Sequence, residues 1–199
     1  MSSVPARSIA RACGAALLAL LASPLVADSL GELDVAVFEA VLTHGLESDE
    51  SMLVLDAVTT GDPAAIGEHV ELARGLVGEL GAPGATLDDW LVRNADTVTI
   101  DQPLDLPVSY HLLDADERAE IFAAPEPQLG WSQFFERFRA APGLVRLSRV
   151  GRDAGARHAL VYVEHQCGVE CGAGRLVHLA RDDTAGWRVA GAVLVWMIE

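Results

Sequence analysis

From Leu144 onward the hydrophobic pattern changes period, and this change constrains the fold more than any other feature of the chain. Four β-rich runs, at about 144–150, 158–166, 174–181 and 187–197, follow one another, separated by Asp153-Ala154-Gly155, a loop holding two cysteines, and Asp182 to Gly186. Reversals this short join antiparallel neighbours, so the last third is expected to form a four-stranded antiparallel β-meander. In the second run Ala159, Val161 and Val163 point to one face, Leu160 and Tyr162 to the other. Both faces are partly apolar, as in a sheet covered on each side.

Upstream the period is helical. Ser29-Leu30-Gly31-Glu32 has capping-box spacing, and Leu33, Ala36, Val37, Ala40 and Val41 recur on one face, which predicts a helix to about Thr43 that stops near Gly45. The apolar run from Met52 to Val58 suits a strand. Asp62-Pro63 opens a second helix, closed near Leu80 by Gly81-Ala82-Pro83-Gly84. A further helix begins at Thr86, with Asp88 and Asp89 placed against its dipole and Leu87, Trp90 and Leu91 turned inward. Short extended pieces at 97–101 and 108–112 flank Pro103 and Pro107, and Asp114-Ala115-Asp116-Glu117 caps a short helix to about Ala123. Trp131, Phe134, Phe135 and Phe138 form a stripe at helical spacing that reads as core. The fold class is therefore α+β, N-terminal helices packed on the C-terminal meander, in one domain: 28–143 mostly helical, 144–199 the sheet.

Residues 1–27 read as a secretory signal peptide, with Arg7 and Arg11 ahead of an apolar stretch from Ala12 to Leu21 and a small residue at Ala27. The stretch is too short to span a bilayer, so no stable membrane span is expected after its removal. Cys13 precedes the apolar stretch instead of following it, which rejects lipidation there. The remainder, 28–199, is expected outside the cytosol, periplasmic or secreted.

The 199 residues hold 14 basic and 29 acidic side chains, a formal charge of −15. Every basic residue is Arg, which reads as the codon usage of a GC-rich genome. Such an acidic chain without a dense basic run excludes nucleic acid as a partner and disfavours anionic membrane surfaces. The charge is lopsided: 22 acids and 3 bases lie in 28–127, against 7 acids and 9 bases in 128–199. The two parts should attract each other weakly.

The sharpest local feature is Cys167-Gly168-Val169-Glu170-Cys171-Gly172-Ala173-Gly174, where one strand should turn back into the next. In an oxidising compartment Cys167 and Cys171 read as a structural disulfide. A redox-active pair is a second reading, with three intervening residues where the thioredoxin-like motif has two. A zinc or copper site drawing on His165, Cys167, Cys171 and His178 is a third. The nucleophile elbow, HExxH, P-loop and dinucleotide fingerprints are absent from the sequence. Ser109-Tyr110-His111 brings a hydroxyl near an imidazole, and Ser148 and Arg149 would point to opposite faces of a regular strand.

Several blocks carry a resemblance: Leu87-Asp88-Asp89-Trp90 with Asn94, Gly130-Trp131, Phe134-Phe135, Pro142-Gly143, Leu147-Ser148-Arg149-Val150-Gly151, Ala159 through Val163, His165-Gln166-Cys167-Gly168, Cys171 through Gly174 and Gly186-Trp187. Over roughly 85–199 the chain resembles a family of uncharacterised secreted or lipoprotein-like bacterial proteins. The resemblance implies one extracytoplasmic domain ending in a sheet, and no reaction. Arg152 stands here where that family usually has an aromatic.

The sequence thus points to an exported, non-enzymatic domain that binds a protein or small-molecule partner, with no cofactor, no metal and no catalytic residue assigned. The competing class is an extracytoplasmic enzyme: a hydrolase drawing on His111, His165, His178 and Ser148, or a thiol oxidoreductase using Cys167 and Cys171. A cleft gathering two titratable groups from separate segments would favour the enzyme; a closed apolar core with these side chains on its outside would favour binding.

Overall fold

The computed structural model describes residues 30–46, 52–60 and 70–198. The expected signal peptide 1–27 with Cys13, and the helix start at Asp62-Pro63, lie outside the described residues. In chain order the elements are α1 (Glu32–Gly45), β1 (Met52–Asp56), α2 (Val70–Glu79), α3 (Gly84–Arg93), β2 (Ser109–Leu113), α4 (Ala115–Ile121), α5 (Pro127–Arg137), β3 (Leu144–Leu147), β4 (Gly151–Arg152), β5 (His158–Gly168), β6 (Cys171–Asp182) and β7 (Gly186–Ile198).

Local chemistry explains most of these boundaries. Gly31 is the N-cap of α1: Asp34 Oδ2 accepts its amide N–H at 3.1 Å and its carbonyl accepts the Asp34 amide at 2.9 Å, so the side chain that closes the helix start is Asp34 and not Glu32. Asp114 caps α4 as expected, its carboxylate accepting the Glu117 amide at 2.8 Å. Helix α3 begins two residues before Thr86, and Leu87 and Trp90 are buried.

The four-stranded antiparallel meander is corrected to a mixed seven-stranded sheet, still within an α+β fold. Its order is β2-β1-β3-β5-β6-β7, with β4 pairing β5. Strands β3, β5, β6 and β7 pair antiparallel, but β1 lies parallel to both β2 and β3. The physical reason lies in β1, whose Leu53, Val54 and Leu55 are all buried. Consecutive apolar residues point to both faces of a strand, so β1 must sit inside a covered sheet with a neighbour on each side.

The two faces differ. On one, Leu53, Leu55, Val161 and Val177 pack against Val37, Phe38 and Val41 of α1. The other carries two separate cores. Near β1 and β3, Val54, Leu113 and Leu144 meet Ile121, Phe134 and Phe138 of the α4–α5 region. Farther along, Leu160 and Leu176 meet Ala73, Val77, Leu87 and Trp90 of α2 and α3. Each fully buried Leu, Val or Phe contributes about 1.5–3 kcal/mol of transfer free energy. The aromatic stripe is core, as expected, with Phe134 and Phe138 buried.

Strands β3 and β4 are two pieces along one edge of β5. Leu147 pairs with Val163 and Gly151 with Leu160, so four steps on one strand oppose three on the other. That is a one-residue bulge at Ser148-Arg149-Val150. Gly151 then lets α3 lie directly on β4, because a Cβ there would meet Trp90 Cα at 2.6 Å.

Candidate functional site

Between the two cores of the second face runs a row of sheet residues that belong to neither apolar cluster. Register aligns Arg146 of β3 with Glu164 of β5, Glu164 with Gly174 of β6, and Gly174 with Trp196 of β7. Asp56 closes the row on β1, its carboxylate Oδ2 lying 3.4 Å from Arg146 Nε and 3.3 Å from Arg118 Nη1 of α4. The register row thus crosses four strands, β3, β5, β6 and β7, and the ion pair to Asp56 extends it to β1, giving an acid, a base, an acid, a glycine and a tryptophan. We refer to it as the seam.

Strand alternation builds it. Tyr162, Glu164 and Gln166 of β5 share one face, while Val161 and Val163 take the other. Glu164 is 7% exposed and Asp56 2%. Burying carboxylates is costly unless they are paired and hydrogen-bonded; both are ion-paired, Glu164 Oε1 and Asp56 Oδ1 accept hydrogen bonds, and Asp56 Oδ2 has ion-pair contacts alone. Asp56 Oδ1 accepts the Val58 amide at 3.0 Å. Glu164 Oε1 accepts from Gln166 Nε2 at 2.6 Å and lies 3.5 Å from Arg146 Nη1. The Arg146 side chain keeps 24% of its surface exposed, and Gln166, Tyr162 and Trp196 are half-buried, so the seam reaches solvent.

Trp196 forms its far end. The indole N–H donates to the Tyr162 phenol oxygen at 2.6 Å. A Cβ on Gly172 would meet Trp196 Cη2 and Cζ3 at 3.3 Å, and one on Gly174 would meet Cε2 at 2.8 Å. Atoms from both ends of the ring thus touch the two glycines, so the indole lies flat on β6. Burial pushes the Tyr162 phenol up to about 12, the Trp196 hydrogen bond opposing this and the Glu164 charge adding to it. Tyr162 stays neutral, its oxygen accepting the Trp196 N–H.

The residues singled out from sequence lie elsewhere, and the fold does not bring them together. Ser148 is fully buried in the bulge; its hydroxyl accepts from Trp90 Nε1 at 2.9 Å and from the Tyr162 amide at 2.8 Å, and donates to Arg149 O at 2.9 Å. Asn94 completes that network, its Oδ1 accepting the Arg149 amide at 2.8 Å and its Nδ2 donating to Trp90 O and Arg149 O. The serine hydroxyl is a structural hub. Trp90 of α3 and Asn94 just after it thus meet the bulge at 148–149.

His111 on β2 lies 2.6 Å from Glu117 of α4, which also pairs with Arg137. His165 takes the face of Val161 and Val163. His178, opposite Leu160, takes the other face and lies 3.0 Å from His158, its Nδ1 donating to Leu80 O at 3.1 Å. The four-ligand metal reading therefore fails: His165 and His178 are on opposite sides of the sheet. Among the described residues no three His, Cys, Asp or Glu side chains gather to hold a metal ion. Cys167 and Cys171 lie at disulfide distance across the β5–β6 reversal, with Cα atoms 5.1 Å apart. Among the described residues no helix is long and apolar enough to cross a membrane.

A separate open groove of about 920 Å³ lies between α1 and the β6–β7 turn, with Trp187 in its lining, carboxylates of Glu32 and Glu39 on one side and guanidiniums of Arg181 and Arg188 on the other. Two of these charges already have partners: Glu39 accepts the Asp105 amide and Arg188 pairs with Asp182.

Asp56, Arg146, Glu164 and Trp196 were not singled out from sequence. The available signal was Tyr162-x-Glu164-x-Gln166, three polar groups at strand period inside an apolar run. No family model matches the chain, and neither a curated protein nor a solved structure does.

Proposed function

We propose that this protein is an extracytoplasmic recognition domain, not an enzyme, and that the seam is where its ligand seats. The observation that carries this reading is the row Asp56–Arg146–Glu164–Gly174–Trp196, where buried charges are cross-braced and an aromatic ring is laid flat at the solvent-reaching edge. Polar side chains locked by their neighbours on adjacent strands form a rigid recognition surface, because little freedom is lost when a ligand arrives. The hydroxyl and imidazoles that a hydrolase would need are separated from each other and held by structural partners. Export is supported by the charged and apolar halves of 1–27 and by the cysteine pair, which an oxidising compartment keeps bonded.

A thermal-shift screen of 28–199 against neutral, anionic and cationic small molecules tests the reading. A ligand at one hundred times its dissociation constant stabilises the folded state by about 2.7 kcal/mol, a readily measured rise in Tm. The expected result is a compound that raises Tm in the wild type and does so much less in Gln166→Ala, whose side chain lies at the half-exposed rim. Compounds whose effects are all indifferent to Gln166→Ala and Trp196→Ala would remove the seam as the binding site.

A further inference from the structure

We infer that the seam takes a neutral, polyhydroxylated ring, that is, a saccharide unit stacked on the outward face of Trp196. This rests on reading the seam as a ligand site, and it goes further by naming the ligand's chemistry.

The first argument is charge. The seam holds two carboxylates, Asp56 and Glu164, and two guanidiniums, Arg118 and Arg146, bridged in alternation at 3.3–3.5 Å. Their charges cancel. An ionic ligand would have to open one of these bridges and strand a buried charge, which is the costly half of any ion-pair exchange. A neutral ligand meets no such penalty.

The second is shape. The Trp196 ring rests on Gly172 and Gly174; a Cβ on Gly174 would displace it, and one on Gly172 would crowd it at 3.3 Å. Its N–H bond to Tyr162 fixes the ring in plane and prevents it from swinging away. A flat apolar plate of this kind matches the C–H face of a pyranose and offers an aliphatic peptide side chain no pocket to enter.

The third is the hydrogen-bonding inventory beside the plate. Glu164, one strand beyond Gly174, offers carboxylate oxygens. Gln166 offers its amide oxygen and the N–H not given to Glu164, and Arg146 the guanidinium donors beyond the one turned to Glu164. A sugar hydroxyl is both donor and acceptor, so neighbouring hydroxyls on one ring edge can use all three groups at once. Because the Gln166 amide and the guanidinium already bond to Glu164 Oε1, the ligand meets groups held in place before it arrives.

Isothermal titration of 28–199 with cellobiose, maltose and N,N′-diacetylchitobiose, beside a dilysine and a diglutamate peptide, tests this. At least one disaccharide should bind with millimolar affinity or better while both peptides fail. Trp196→Ala should weaken that binding by about tenfold, the equivalent of 1.4 kcal/mol, and Trp196→Phe by much less because it keeps a plate. Gln166→Ala, which removes a half-buried side chain and its hydrogen bond to Glu164, should also weaken it severalfold. Pull-down on insoluble chitin and cellulose separates a polymer surface from a free sugar as the source of the ring. If no disaccharide or polymer binds, or if binding ignores both Trp196→Ala and Gln166→Ala, the saccharide assignment is overturned. Binding of a charged peptide that Gln166→Ala abolishes would overturn the ligand class and leave the seam as a site. Loss of both would sink the functional reading as well.

Discussion

The indole N–H of Trp196 reaches the phenol oxygen of Tyr162 at 2.6 Å by crossing the whole width of β6, above a residue with no side chain. The bond joins β7 to β5 across an intervening strand, and it exists because Gly174 leaves the space between them open. Sequence, packing and the candidate site meet at that glycine.

Gly174→Ala is the direct test of this relationship. The new methyl would collide with the Tyr162 hydroxyl and with the indole nitrogen, both already tied to each other. Overpacking of this kind costs about 1–3 kcal/mol, so the urea midpoint should fall accordingly. Displacement of Trp196 should also remove whatever ligand binding the seam supports. An unchanged midpoint, with the Trp196 indole NMR resonance unmoved, would mean that the ring does not lie where the geometry puts it.

Ser148→Ala should be more damaging than an ordinary serine truncation. The hydroxyl satisfies two buried donors, Trp90 Nε1 and the Tyr162 amide. Each donor left without a partner costs about 1–3 kcal/mol, so a loss of at least that size is expected in equilibrium denaturation. A near-neutral effect would show that water can replace the hydroxyl in the bulge, and would reopen the question of what else that serine does.

The contrast between these two positions shows how far the sequence could be read. The Asp114 cap, the strand runs and the core role of the aromatic stripe follow from local period and short-range chemistry, whereas the caps expected at Ser29–Glu32 and at Thr86 with Asp88 and Asp89 gave way to Gly31 with Asp34 and to a start at Gly84. The cysteine pair was equally local. Pairing is different. That β1 joins the sheet parallel to β3 depends on residues about ninety positions apart, and nothing in the Met52 to Val58 run says which strand it will adjoin. Since Asp56 reaches Arg146 only through that pairing, the seam could not be assembled from the sequence. Three of its residues, Tyr162, Glu164 and Gln166, were visible as a polar interruption at strand period, but the partner strands that give them meaning were not.

Stability should depend on pH through His178. Burial holds its imidazole below the ordinary value of 6.5, with His158 adding to the effect and the hydrogen bond to Leu80 O opposing it. The fold favours the neutral ring, so as pH falls below about 6.5 the unfolded chain binds more protons than the folded one. This contribution is therefore full above 6.5, shrinks as pH drops through that value, and levels off below the depressed folded value. His178→Gln should flatten this part of the midpoint-against-pH profile. Parallel profiles for the two proteins between pH 4.5 and 8 would show that the His158–His178 contact does not carry it.

Cys167→Ser with Cys171→Ser should cost about 2 kcal/mol, the chain-entropy value for so short a closed loop, and leave the fold intact. The loss is modest because β5 and β6 are paired along most of their length without the crosslink. Mass spectrometry of the wild type, with and without reductant, establishes whether the bond is present. A loss well above that value would mean that the crosslink supports more than the hairpin tip.

The ion pairs of the seam separate a structural role from a functional one. Glu164→Leu leaves Arg146 with only Asp56 as a charged partner, and breaking a buried pair from one side costs about 3–5 kcal/mol when both groups are fully buried. Arg146 keeps 24% of its side-chain surface exposed, so a smaller loss is expected here. Adding Arg146→Met removes the stranded charge, and because Asp56 retains Arg118, most of the stability should return. Apolar replacements of buried ion pairs are often neutral or stabilising, so nothing in folding alone requires this row to be charged. If the row exists for recognition, the double variant will fold nearly as well as the wild type and bind nothing at the seam. If it folds no better than Glu164→Leu alone, the charges are part of what holds the two apolar clusters in register, and recognition is not needed to explain them.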